Sequence, residues 1–189
     1  MFKFTHWPAE SDVITQPWAN RPEYYARFGW AGGHEGVDLR APLNSKIFAA
    51  ADGTVRYVTN LRYNGRPSAY GWHVVIDHSD GYATLYAHLR PDVRELLRTG
   101  QRIYGGDVIG FSGNTGNSDG PHLHLSLFLA GSHVAGFPQN YVDPTPFLLA
   151  CSLDQAEELP IEDAPDRALA APLDMDRKYA RLIEFLTRR

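Results

Sequence analysis

Four histidines and one aspartate of this 189-residue chain fall into three short segments, and any fold it adopts has to bring those segments together. The segments are Gly-Gly-His34-Glu-Gly-Val-Asp38, Tyr-Ala-His88-Leu and Gly-Pro-His122-Leu-His124-Leu. If His122 and His124 lie on a β-strand, its period of two turns both imidazoles to one face and delivers two nitrogens to one point. One of them can then bind a metal while the other works beside it.

The chemistry of a zinc hydrolase matches this supply of groups. A catalytic zinc keeps three protein ligands and leaves a fourth position for water, so two imidazoles and one carboxylate suffice to hold it. Two imidazoles remain. A histidine outside the coordination sphere titrates near neutrality and can take or return a proton there.

The three segments resemble the lysostaphin-type, or LytM-domain, family of zinc peptidoglycan endopeptidases. That family carries a His-x-x-x-Asp motif, a later Tyr-x-His-Leu motif and a His-x-His motif after a Gly-Asn-Thr-Gly loop. Here they read His34-Glu35-Gly36-Val37-Asp38, Tyr86-Ala87-His88-Leu89, and Gly113-Asn114-Thr115-Gly116 leading to His122-Leu123-His124. The likeness runs from about Gly32 to Phe128 and takes in Ala50-Ala51-Asp52-Gly53-Thr54-Val55, Val75-Ile76-Asp77-His78 and Gly106-Asp107-Val108-Ile109-Gly110. It implies one Zn2+ per chain held by His34, Asp38 and His124, with His88 and His122 as free catalytic imidazoles. It also implies a mainly β fold, an antiparallel barrel or sandwich of duplicated hairpins whose open groove carries the zinc. Two departures stand out. After His-x-His the family usually has an aromatic residue and then Glu, where this chain has Leu125-Ser126. The stretch from Asn60 to Tyr70, rich in Arg, Asn, Gly and Pro, is a long connection placed to rim a substrate groove.

Composition narrows the alternatives. With 43% hydrophobic residues the chain can build one substantial core. Its 17 Gly, 13 Pro and 12% aromatic residues favour turns and strands. No apolar run approaches the roughly 18 residues of a membrane span, and a net charge of −4 gives no sign of nucleic-acid binding. The single cysteine, Cys151, excludes an intramolecular disulfide and a multi-cysteine metal site. The first ten residues do not read as a secretory signal. An enzyme of the wall, extracellular or periplasmic, would then be part of a larger exported protein, a trimmed chain, or released on lysis.

Strand signals recur at Asp12–Gln16, Lys46–Ala50, Gly53–Thr59, Trp72–Asp77, Ala83–His88, Asp107–Ser112 and His122–Leu129, separated by Gly, Asn or Asp. Asp92–Arg98 reads as a short helix. The aromatic stretch from Trp18 to Trp30, with Tyr24, Tyr25 and Phe28, serves either as a groove wall or as a cover over the open end of the sheet. Lys46-Ile-Phe-Ala-Ala is echoed by Arg102-Ile-Tyr-Gly-Gly, a faint internal repeat. Of the remaining histidines, His6, His73 and His133 read as ordinary packed or surface residues, and His78 as a hydrogen-bonded structural one.

These signals divide the chain into a peptidase domain over residues 1–150, an acidic linker over 151–173 and an amphipathic helix over 174–189. The linker has six acidic residues and no basic ones between Cys151 and Asp166. The helix rests on Met175, Tyr179, Leu182, Ile183 and Leu186. The expected activity is hydrolysis of peptide bonds in the cross-bridges or stems of bacterial peptidoglycan, the peptides being the partner. Two rivals from other classes are a catalytically silent LytM domain that binds or activates a cell-wall amidase, and a histidine phosphocarrier. The first would lack zinc ligands, and the second has no need of the His34/Asp38 pair.

Overall fold

The structure, a computed structural model, describes residues 1–62 and 65–157. Its strands are β1 (Ile14–Gln16), β2 (Val37–Leu39), β3 (Lys46–Phe48), β4 (Gly53–Thr59), β5 (Trp72–Asp77), β6 (Tyr82–Leu89), β7 (Arg102–Ile103), β8 (Val108–Phe111), β9 (Leu123–Leu129) and β10 (Tyr141–Val142). Three α-helices, α1 (Pro22–Tyr25), α2 (Val93–Leu96) and α3 (Thr145–Glu157), and two 3-10 turns, Ala26–Phe28 and Ser79–Gly81, complete the described elements. The mainly β expectation holds, and so do most strand positions. β2, β7, β10, α1 and α3 lie outside the strand and helix signals read from the sequence.

The large sheet runs β1-β2-β9-β6-β5-β4-β7, and β10 pairs with β9 outside that path. All of its pairings are antiparallel. The order does not close into a barrel, since β1 and β7 remain its edges. β2 and β10 lie end to end along one side of β9, with Val37–Leu39 opposite Leu125–Leu123 and Tyr141–Val142 opposite Phe128–Leu127. A second, two-stranded sheet pairs β3 with β8. The internal repeat is thereby explained: β3 pairs with β8 while β4 pairs with β7, so the two related segments exchange strands with each other.

One face of the large sheet is core. Alternation along β9 sends Leu123, Leu125 and Leu127 into it, each fully buried, and β5 and β6 add Val74, Ile76, Tyr86 and Leu89. Each such side chain contributes about 1.5–3 kcal/mol by leaving water. Ile47 and Ile109 of the small sheet join the same cluster, as do Phe2, Phe4, Leu148 and Cys151. The N-terminal segment is therefore part of the core: the Phe2 ring stacks on Tyr82 at 4.4 Å, and Phe4 meets Phe147 of α3 at 5.5 Å.

The opposite face is left open, and the alternate residues of the same strands point there. A small apolar cluster of Val75, Ala83, Leu85 and Ala87 floors it, with Tyr70 and Phe128 packed alongside. The compact unit extends from Met1 to Asp154. Helix α3 runs through residue 150, where the sequence suggested a domain boundary, and Cys151 within it is buried. The rest of the expected linker, beyond Glu157, and the helix expected over 174–189 lie outside the described residues.

Candidate active site

The open face carries all five side chains singled out from the sequence. Asp38 on β2 and His124 on β9 are direct partners across the strand pair, and Ala87 of β6 is the partner of His124 on the other side. A methyl group at Ala87 leaves room for the imidazole beside it. His34 precedes β2 and its ring reaches back to the same point.

The three atoms that meet there are His34 Nε2, His124 Nδ1 and Asp38 Oδ1. They are separated by 2.9 Å between the two nitrogens, 3.0 Å between His124 and Asp38, and 3.3 Å between His34 and Asp38. The other nitrogen of each ring is already committed. His34 Nδ1 faces the Pro17 carbonyl at 3.2 Å, and a carbonyl can only accept, so this nitrogen carries the hydrogen. His124 Nε2 pairs with Ser126 Oγ at 2.9 Å, with the Glu35 carboxylate behind it at 3.7 Å. His34 Nε2, His124 Nδ1 and Asp38 Oδ1 therefore converge on one point in a buried place, an arrangement able to hold a cation. Three corners of a tetrahedron around zinc would stand about 3.3 Å apart for bonds of roughly 2.0–2.1 Å, so this donor set fits the ion.

The acid–base behaviour of the metal-free cluster agrees. Burial works against the charge of Asp38, but its contacts with His124 and His34 outweigh it and hold the carboxyl well below the usual carboxylate range. Burial likewise opposes a charged His124, and the Asp38 hydrogen bond together with the Glu35 and Asp38 charges wins, raising its pKa.

His88 and His122 stand next to this cluster with their rings 4.7 Å apart. His88 Nδ1 donates to the Thr115 carbonyl and His122 Nδ1 to the Gly120 carbonyl, both at 2.8 Å. Each ring thus exposes Nε2 as an acceptor, and His122 Nε2 lies 3.6 Å from Asp38 Oδ1. Burial and then the neighbouring His124 charge push the His88 pKa down to about 4, so its ring is neutral at pH 7.

His88 reaches the open face by an irregularity. Trp72 pairs with Leu89 but Val74 pairs with Tyr86, so β6 carries one residue more than β5 over this stretch. The extra residue is accommodated by a left-handed backbone at His88, with φ 59°. Without this bulge the alternation after Tyr86 would turn His88 into the core. The Gly-Asn-Thr-Gly loop locks the bulge: Thr115 Oγ1 donates to Leu89 O at 2.8 Å and accepts from Trp72 N at 2.9 Å, and Gly113 N donates to His88 O at 2.9 Å.

A cleft of about 1860 Å³ opens above these groups. Tyr24, Tyr25 and Trp30 line it, which favours the groove-wall reading of that aromatic stretch, while Trp18 instead stacks on Phe137 at 4.1 Å. Leu61, Arg62 and Pro67 line it too, so the 60–70 connection does rim the groove. His78 has the structural role expected of it, donating from Nδ1 to Asp52 O and pairing Nε2 with Thr84 Oγ1, both at 2.7 Å.

Sequence reasoning passed over Glu35, Tyr70 and Tyr141. Tyr141 stands 3.1 Å from Tyr70 through their hydroxyls, and Tyr70 donates to Glu35 Oε1 at 2.8 Å. Glu35 was hidden as a spacer inside the first motif, and its ligand atom lies within 4.8 Å of those of His34 and His124. It faces Nε2 of His124, however, whereas Asp38 faces Nδ1, where His34 also converges. Ser126 at the departure after His-x-His was the one signal that something in this shell differs.

A family model, Peptidase family M23, matches residues 32–136. The DD-carboxypeptidase/endopeptidase Mpg of Neisseria meningitidis is 39% identical over 115 residues, which are 61% of this chain and 24% of that protein. The peptidoglycan DD-endopeptidase ShyC of Vibrio cholerae is 40% identical over 100 residues, 53% of this chain and 21% of that one. This chain therefore spans about a quarter or less of those relatives. Among solved structures, a zinc containing peptidase from Vibrio cholerae superposes with a TM-score of 0.56 at 28% identity, covering 75% of this chain and 39% of that one. With more than half of its length matched by the family model and the motifs assembled at one point of the fold, the chain belongs to peptidase family M23, the lysostaphin-type family that its sequence resembles.

Proposed function

We propose that this chain is a zinc endopeptidase that cuts peptide bonds in bacterial cell-wall peptidoglycan. The observation that carries the reading is how the rings are held: the outer nitrogens of three imidazoles face carbonyls and that of His124 faces the Ser126 hydroxyl, leaving His34 Nε2 and His124 Nδ1 to meet Asp38 Oδ1 and His88 Nε2 and His122 Nε2 to face the cleft beside them. His34, Asp38 and His124 would hold one Zn2+. Bound there, the ion supplies Lewis acidity that lowers the pKa of water and polarises a carbonyl.

The remaining steps belong to protein groups. His122 Nε2, 3.6 Å from Asp38 Oδ1, accepts a proton from the attacking water. His88, kept neutral by burial, accepts a hydrogen bond from that water through Nε2 and orients it. Stabilising an oxyanion instead would require a hydrogen on Nε2. The Thr115 carbonyl holds that hydrogen on Nδ1, so His88 can donate toward the cleft only after gaining a second proton. The protonated His122 then returns its proton to the leaving amine.

Retention of all five groups speaks against a silent domain. DD-endopeptidases among the relatives support a stem-peptide cross-link as the substrate. The deciding experiment incubates the purified, zinc-loaded chain with cross-linked muropeptides and follows the products by mass spectrometry. Conversion of dimers to monomers, abolished by a chelator and restored by zinc, is the expected result. Intact dimers with full zinc would overturn the reading.

A further inference from the structure

Glu35 is almost wholly buried, yet no ordinary structural role accounts for both of its oxygens. Oε1 accepts from the Tyr70 hydroxyl, and Oε2 is buried with no hydrogen-bond partner among the described residues. A buried carboxylate with an unsatisfied oxygen costs free energy unless a positive group stands close by. The group that stands close is the back edge of His124, whose Nε2 is 3.7 Å from Oε1. The Tyr70 ring stacks over the same imidazole at 5.5 Å, so one residue both holds the carboxylate and packs the ring it faces.

We infer that Glu35 is a positioning residue for His124. Resting on the zinc reading above, the inference is that its negative charge keeps the hydrogen of His124 on Nε2, reinforcing the bond to Ser126 Oγ, and so keeps the Nδ1 lone pair turned toward Asp38 Oδ1 and His34 Nε2. Carboxylates behind a metal-bound imidazole fix its tautomer and raise its basicity. Ser126, two residues along β9 on the same face, supplies only a neutral oxygen there. Tyr141 and Tyr70 complete a relay of hydroxyls that ends on the carboxylate, so the strand pair β9–β10 contributes to the orientation of a ligand on β9.

The test uses the full chain and reads zinc binding rather than turnover. Zinc affinity is measured by competition with a chromophoric chelator for the wild type, Glu35→Gln, Tyr70→Phe and Asp38→Ala, together with the cobalt(II) absorption spectrum and the thermal midpoint of the metal-free protein. Glu35→Gln keeps the shape and removes the charge. It should weaken zinc binding by roughly 10–100-fold, with the cobalt band positions and the metal-free midpoint as in the wild type. Tyr70→Phe, which keeps the ring and removes the hydroxyl, should weaken zinc in the same direction by a smaller factor. Wild-type affinity in both variants overturns the inference. So does loss of zinc in Glu35→Gln as complete as in Asp38→Ala with a changed cobalt spectrum, because that outcome makes Glu35 a ligand. A wild-type chain that holds no zinc removes the underlying reading as well, and is told apart from the other failures by that first measurement.

Discussion

Asp38 and His124 sit directly opposite each other on β2 and β9, with Oδ1 and Nδ1 3.0 Å apart. The strand register alone therefore brings a carboxylate and an imidazole 86 residues apart in sequence into coordinating distance. Neither side chain needs a flexible loop to reach the other, and a site built on paired strands is held more tightly than one built on loops.

Replacing Asp38 with Ala should remove one of three zinc ligands and leave two nitrogens facing each other. Zinc content of the purified variant should fall far below one per chain, and cleavage of muropeptide dimers should be lost. Full activity with bound zinc would sink the ligand assignment.

His88→Ala and His122→Ala should keep their zinc and lose turnover by roughly 10²–10⁴, the range expected of a positioned acid or base. Metal analysis beside kcat separates the two effects. An empty site in either variant would mean that ligands and proton carriers have been confused.

Gly36 lies where any side chain would collide. A Cβ there would stand 2.5 Å from the Leu125 carbonyl and 2.7 Å from Cε1 of His124. Gly36→Ala should therefore cost about 1–3 kcal/mol of stability, as overpacking does, and should displace the His124 ring. Chemical denaturation of the metal-free protein and chelator competition of the loaded protein should both register it; wild-type values in both would show that the strands yield without consequence.

Stability of the metal-free chain should fall as the pH drops below about 6.5, the unfolded histidine value. Burial lowers the pKa of His73, His78 and His88 in the folded state, the last to about 4. As pH falls from about 6.5 toward 4, the unfolded chain takes up protons that these folded histidines refuse, so unfolding is favoured. His124 works in the opposite sense, its raised pKa adding stability that is present below about 6.5 and lost as pH rises through its folded value. Urea titrations between pH 7.5 and 4 on the wild type and on His78→Gln check the sign: the variant should show the shallower loss.

A chain ending at Ala150 should be less stable than one ending at Glu157. The shorter cut divides α3 and removes the buried Cys151, whereas the longer keeps the described helix whole. Each kcal/mol lost should lower the thermal midpoint by about 2–4 °C. Equal midpoints would show that the second half of α3 is dispensable.

Much of this protein was legible in its residues. The motifs shared with the family pointed to the five groups, while the period-two spacing of His122 and His124 and the Gly, Asn and Asp punctuation that set most strand positions are local consequences of backbone geometry. Only the tertiary structure decided the rest. The bulge that turns His88 outward depends on pairing with β5 and on Thr115, some 27 residues away, so no local pattern announces it. The strand exchange β3–β8 and β4–β7 turns a faint repeat into two pairings, and α3 owes its place to a core that the N-terminal phenylalanines also enter. Glu35 looked like a spacer because its meaning lies in what stands behind His124, and in the fold that is a question of distance, burial and charge between residues 89 positions apart in the chain.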